Sequence, residues 1–183
     1  MFKEDFERRI KMFVALVESV AMYGAEIWGW NDEGRLDIIK RRYMKWILGL
    51  DKVTPNYILR EETREEEIRT KAVRSAFNYE EGARSSDKKL VRECIRKMER
   101  QREEKKPSKW KERRAGLKGR LGINEDWMGR VREGEEGKTE GVAKRVRKRI
   151  EEVEGESRRK KIEESKYNAH YKEIATKERP EDP

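Results

Sequence analysis

Eight cations against one carboxylate occupy the 16 positions from Lys105 to Arg120. They are Lys105, Lys106, Lys109, Lys111, Arg113, Arg114, Lys118 and Arg120, with Glu112 the lone acid and Trp110 in their midst. Like charges this dense repel one another and gain by neutralising phosphates with release of counterions, while an indole can stack on an unpaired base. Neither contact reads sequence, so the chemistry on offer is nonspecific binding of an RNA or DNA backbone. The same composition also describes a solvated basic tail that binds nothing. Arg145, Arg147, Lys148 and Arg149 make a second patch open to the same two readings. Trp30 follows Gly29, where a helix should end, and is expected at an exposed joint as the other aromatic offered for stacking.

Other chemistries find little material. Cys94 and His170 are the only residues of their kinds and lie 76 positions apart, so neither a zinc site nor a Cys/His nucleophile can be assembled from them. Cys94 beside Ile95 is expected as a reduced, buried thiol, and His170 as solvent-exposed. Glu61, Glu62, Glu65, Glu66 and Glu67 sit among Arg60, Arg64 and Arg69 at helix-pairing distance and read as a solvated face. Gly116 to Gly122 lacks the spacing and the preceding strand of a phosphate-cradling loop. No cofactor or metal is implied.

The charges that would do the binding must be carried by something, and the chain divides unevenly. Residues 1–83 hold 15 Lys/Arg against 16 Asp/Glu, whereas residues 84–183 hold 32 against 22. Of the 15 Phe, Trp and Tyr, 11 precede residue 84. Core-forming material and positive charge are therefore separated along the sequence. Met12 to Trp30 is the most apolar stretch, but Glu18 and Glu26 interrupt it, so neither a membrane span nor a signal peptide is expected. One cysteine suits an intracellular setting, nuclear or cytoplasmic.

Helical periodicity is the only regular pattern. Phe6, Ile10, Phe13, Val17, Val20, Gly24 and Ile27 recur at intervals of four and three and predict one helix with that face inward. A second helix, with Leu36, Ile39, Tyr43, Trp46 and Ile47 inward and Gly49 as its stop, should pack antiparallel on the first. Thr54-Pro55 predicts a third helix start. Thr63-Arg64-Glu65-Glu66 predicts a capping box before a fourth, with Ile68, Ala72, Ala76 and Tyr79 inward and Gly82 ending it. Ser86 caps a weaker helix through Val91 and Ile95 before Pro107. Glu133 to Gly141 reads as a mobile linker, and Val146, Ile150 and Val153 line a stripe too narrow to hold a helix unless it meets a partner.

Three landmarks then carry a family resemblance. Tyr23-Gly24-Ala25-Glu26-Ile27-Trp28-Gly29, with Trp46-Ile47-Leu48-Gly49-Leu50 after it, resembles the post-palm helices of a non-LTR, jockey-like retrotransposon reverse transcriptase. Thr54-Pro55-Asn56-Tyr57-Ile58-Leu59-Arg60-Glu61-Glu62 follows as it does in that family, and Lys161-Ile162-Glu163-Glu164-Ser165-Lys166-Tyr167-Asn168, with Tyr171, resembles a further downstream element. The resemblance implies thumb helices that grip a template–primer duplex. It also implies paired catalytic aspartates upstream and a Cys/His zinc knuckle downstream; this sequence has no adjacent aspartates and no such knuckle.

The expectation is thus an all-α protein. A small antiparallel helical domain should span residues 3–83, a docked helix 84–104, and a basic, partly disordered extension 105–183. The implied function is noncatalytic: a reverse transcriptase-like fragment retaining at most weak, nonspecific binding of nucleic acid. The alternatives are a helical interaction module, meeting itself or the polymerase region through an apolar face, and a relic without function.

Overall fold

Residues 2–31, 34–100, 109–134, 139–166 and 171 are described by the structure, a computed structural model, and every regular element among them is helical. The helices are α1 (Phe2–Phe13), α2 (Ser19–Ala21), α3 (Ala25–Trp28), α4 (Arg35–Ile47), α5 (Asn56–Thr63), α6 (Ile68–Arg84), α7 (Lys89–Arg100), α8 (Lys109–Arg120), α9 (Glu125–Gly134) and α10 (Thr139–Glu164). The all-α class expected from periodicity is what forms.

The first expected helix is divided. Ile10 and Phe13 are buried as its stripe requires, but Val14–Glu18 is a π-helical segment joining α1 to α2. A π turn advances less per residue than an α turn, so the faces beyond it rotate. Glu18 comes inward, while Val17, Val20 and Ile27 face solvent. Gly24 then takes a positive φ of 68°, which a side chain would resist, and restarts the chain as α3. α3 lies against α6 with Ala25 wholly buried. At its end a Cβ on Gly29 would collide with the carbonyl oxygen of Ala72, so only glycine allows this approach.

α4 ends where glycine was expected to end it. Gly49 has φ 63°, its N–H donates to Trp46 O at 3.2 Å, and that of Leu50 donates to Lys45 O at 2.8 Å, a Schellman closure. The buried face of α4 differs from the expected one, however: Asp37, Lys40 and Met44 are inside, whereas Ile39 and Trp46 are exposed, Trp46 by 68%. Tyr43 still links α4 to α1, stacking on Phe13 at 4.8 Å and donating its hydroxyl to Arg9 O.

Charges explain the rotation. Lys40, 2% exposed, meets Glu18 at 3.5 Å and Glu65 at 3.0 Å and donates to Glu66 O at 2.6 Å; Glu18 also holds Lys71. Buried Glu67 meets Arg41 at 2.6 Å, Arg69 at 3.1 Å and Arg60 at 3.4 Å. Asp37 accepts from Arg69 N, and burial, followed by the nearby Glu67 charge, raises its pKa. Of the glutamates read as a solvated face, Glu67 is buried and Glu61, Glu65 and Glu66 are half-buried, because cations reach them from other elements; Glu62 stays exposed. The capping box also fails. Thr63 closes α5 by donating to Leu59 O at 2.7 Å, Arg64 follows in the left-handed region, and α6 starts only after Glu67. α6 runs through Gly82 to Arg84, with Phe77 inside in place of Tyr79.

The division expected at residue 83 is not a packing boundary. One buried cluster joins Trp30, Val73, Ala76 and Phe77 to Leu117, Leu121, Ile123, Met128, Val131, Val146 and Ile150. Residues 109–134 and 144–166, expected as a loose extension, supply most of that core. The narrow stripe of α10 finds its partner in α6; of the linker expected over Glu133 to Gly141, the two ends belong to α9 and α10, and residues 135–138 lie outside the described ones. A smaller cluster of Ile10, Met44 and Leu59 lies under α1, α4 and α5. In α7 Cys94 is exposed, not buried; among the residues of that helix whose side chains are described, Val91 and Ile95 are the half-buried ones.

Candidate nucleic-acid interface

The basic stretches fold as helices, and folding sorts their cations. α8 buries Leu117 and Leu121 and closes on Gly122 (φ 64°), with Gly122 N donating to Gly119 O at 3.1 Å and Ile123 N to Lys118 O at 2.9 Å. This second Schellman turn presents Leu121 O to Arg149, whose Nε donates to it at 2.9 Å. The two patches, 25 or more positions apart in sequence, are thereby tied together where α10 meets the end of α8.

Arg114 and Lys118 face inward. Arg114 grips Glu80 with two nitrogens, Nε at 2.8 Å from Oε2, while Lys118 lies 3.6 Å from the same carboxylate. Burial works against the Glu80 carboxylate, yet the Arg114 hydrogen bond and the Lys118 and Arg114 charges outweigh it and hold its pKa down at about 2. Burial is also the main influence on Lys118, and its pKa falls to about 8 in spite of Glu80. These residues pin α8 to α6.

Trp30 is 3% exposed, so the expectation of an exposed stacking platform is wrong. Its ring packs edge-on against Phe77 at 4.7 Å, with the Arg114 guanidinium 5.4 Å and the Lys118 ammonium 5.7 Å from its centroid. The cations offered to phosphate and the indole offered to a base satisfy one another. Trp110 is likewise half-buried against the core.

What remains outward is a stripe. Lys109, Arg113 and Arg120 are exposed at helical spacing on α8, with Lys111 half-buried, and Arg145, Arg147 and Lys148 are exposed on α10. Arg147 pairs with Glu151 at 2.7 Å. Lys105 and Lys106 lie outside the described residues. Among the described residues no three His, Cys, Asp or Glu side chains gather to hold a metal ion, and no helix is long and apolar enough to cross a membrane.

Sequence reasoning missed a groove of about 680 Å³ on α4, lined by Trp46 and by Arg41, Arg42, Lys45 and Lys52. The signal was present in Arg41-Arg42 and Lys45-Trp46, but assigning Trp46 to the core hid it. No protein-family model, curated protein or solved structure matches this chain.

Proposed function

We propose that this chain is a noncatalytic helical module that binds nucleic acid through its phosphates, related to the post-palm segment of a non-LTR retrotransposon reverse transcriptase. The observation that carries the binding is the exposed stripe of Lys109, Arg113 and Arg120 on α8, tied through Arg149 to Arg145 and Lys148 on α10. Cations so spaced can follow a backbone but cannot read bases, so DNA and RNA of any sequence should serve. Two of the landmarks that carry the resemblance, remote in sequence, meet in the fold: Tyr57 Oη lies 2.9 Å from Ser165 Oγ, and Tyr171 Oη 2.5 Å from Glu62 Oε1.

Anisotropy of labelled oligonucleotides titrated at increasing salt tests the binding. A log–log slope of about −4 is expected, for four to five phosphate contacts. Changing Lys109, Arg113 and Arg120 together to Gln should flatten it by about 2 to 3. A slope indifferent to these changes would reject the interface.

A second reading has its own observation. Met12, Leu16, Val20, Tyr23 and Ile27 are exposed along α1 to α3, Tyr23 by 88%, a quantity of apolar surface that suits a protein partner or self-association. Association through that face should persist or strengthen as salt rises, the reverse of phosphate binding.

A further inference from the structure

The groove on α4 offers chemistry different from that of the α8–α10 stripe. The Schellman turn at Gly49 folds the chain back, so that Leu50 and Lys52, and then Asn56 at the start of α5, stand across from Trp46. Trp46 remains 68% exposed although Arg9 lies over its ring at 5.8 Å and Tyr43 tilts against it at the same distance. A large indole in solvent forgoes substantial apolar burial, and the cations around it give the surface a sign.

Those cations are held in different ways. Lys45 Nζ donates to Lys52 O at 2.9 Å and Thr54 O at 2.5 Å, which fixes the ammonium and leaves a third N–H to give. Arg41 is braced from behind by Glu67. Arg42 and Lys52 are exposed. Among the described residues lining the groove none is acidic. Loss of water and then the Arg41 charge lower the Lys45 pKa, with Asp51 opposing, so positive charge is crowded at a place where an anion would relieve it.

We propose that this groove binds a short run of single-stranded nucleic acid, with one unpaired base stacked on Trp46 and the adjoining phosphates on Arg42, Lys45 and Lys52. A ring beside fixed cations suits a base beside its own phosphates. In a duplex the bases are stacked on one another, and only the backbone could reach the groove. The inference rests on the reading of the chain as a nucleic-acid binder, but it uses different residues and adds a preference for single strands over the shared phosphate attraction.

The test compares labelled dT12 and U12 with a 12-base-pair DNA hairpin closed by a glycol linker that carries no base, using the full chain, its Trp46→Ala, Trp46→Phe and Arg42→Gln/Lys52→Gln forms, and the Lys109/Arg113/Arg120→Gln form. Trp46 is at the surface, so circular dichroism of Trp46→Ala should match the parent. Its affinity for both single strands should fall about ten- to a hundred-fold while hairpin binding is unchanged, and Trp46→Phe should restore most of the loss. Arg42→Gln/Lys52→Gln should flatten the single-strand salt slope by about 1 to 2. A Trp46→Ala change below about two-fold, or an equal loss for strand and hairpin, overturns the groove, since one stacked base should be worth more than that. If that happens while the α8 changes weaken all three probes, the groove fails and the α8–α10 reading stands. If the α8 changes are silent and Trp46→Ala is not, the groove stands alone. No binding by the parent chain rejects both.

Discussion

The phenolic hydroxyl of Tyr57 donates to Ser165 across 108 positions of sequence, at 2.9 Å. It is the far end of a seam along which α5 and α10 lie together. Arg60 meets Glu154 at 2.7 Å, Arg158 meets Glu61 at 3.3 Å, and Tyr171 donates to Glu62. Glu154 also accepts from buried Thr70, which draws α6 into the seam. Ile162, on the same stretch of α10, is buried. Exposed ion pairs are individually weak, but half-buried ones sharing partners fix a register. The seam therefore sets how the C-terminal helix lies on the N-terminal ones.

A chain cut at residue 83 is expected not to fold by itself. Trp30, Val73, Ala76 and Phe77 would lose the seven buried residues from α8 to α10 that complete their cluster. What else is buried before residue 84, chiefly Ile10, Phe13, Ala25, Met44, Leu59, Ile68 and Ala72, is too little to offset the conformational entropy of some 80 residues. A 1–83 fragment should melt without a cooperative transition where the full chain shows one. A sharp urea transition in the fragment would show that the two clusters are independent.

Gly29 and Gly82 should respond oppositely to alanine. At Gly29 the added carbon meets the α6 backbone at Ala72, and moving a helix costs about 3 kcal/mol, at the upper end of overpacking. At Gly82 nothing lies within 4 Å, and the residue is inside a helix, so alanine should stabilise by about 0.5 to 1 kcal/mol. Denaturant midpoints of the two variants, measured against the parent, check both signs.

Legibility tracked how local each cause is. Gly49 could be read as a helix stop because the left-handed turn it makes is a property of a few consecutive residues. Ile10, Phe13, Ile68, Ala72 and Ala76 could be read because each lies on a stretch of regular α-helix, whereas beyond the π turn the same period misplaced Val17, Val20 and Ile27. Lys40, Glu67 and Glu80 could not, since a charge is buried only when its partner comes from elsewhere, here Glu18 and Glu65, Arg41 and Arg60, and Arg114. The two tryptophans Trp30 and Trp46 were exchanged for the same reason. Apolar type says that a ring gains by burial, while the π turn between α1 and α2 and the inward pull on Lys40 decide which ring obtains it. Arg114 and Lys118 resembled phosphate ligands because their carboxylate is more than 30 positions away in sequence.

Removing Lys40 should be among the most costly single changes. Lys40→Met would leave Glu18 with Lys71 alone and Glu66 O without its donor, and breaking a buried pair typically costs about 3 to 5 kcal/mol. Combining Lys40→Met with Glu18→Gln should recover part of this loss, because the stranded charge is then gone. A double-mutant cycle by urea melting measures the coupling. If the double variant is as unstable as the sum of the singles, Glu18 and Lys40 do not act on each other.

Acid should loosen α8 from α6 through Glu80. The folded carboxyl is held at about 2, against about 4.5 unfolded, by Arg114 and Lys118 acting over the cost of burial. A depressed folded pKa stabilises fully above the unfolded value, and the stabilisation is lost as pH falls from roughly 5 to 2. A shift of this size corresponds to about 3 kcal/mol. Lys118 behaves differently. Its folded pKa of about 8 lies below the unfolded 10.5, so between those values the unfolded chain binds more protons and stability should rise with pH. A carbon-13 titration of the glutamate carboxyls should find one near pH 2, and stability measured from pH 7 to 2 should fall less steeply in Glu80→Gln than in the parent. Equal falls in the two proteins would place the acid sensitivity in other carboxylates and leave Glu80 without the strong hold on α8 that its contacts imply.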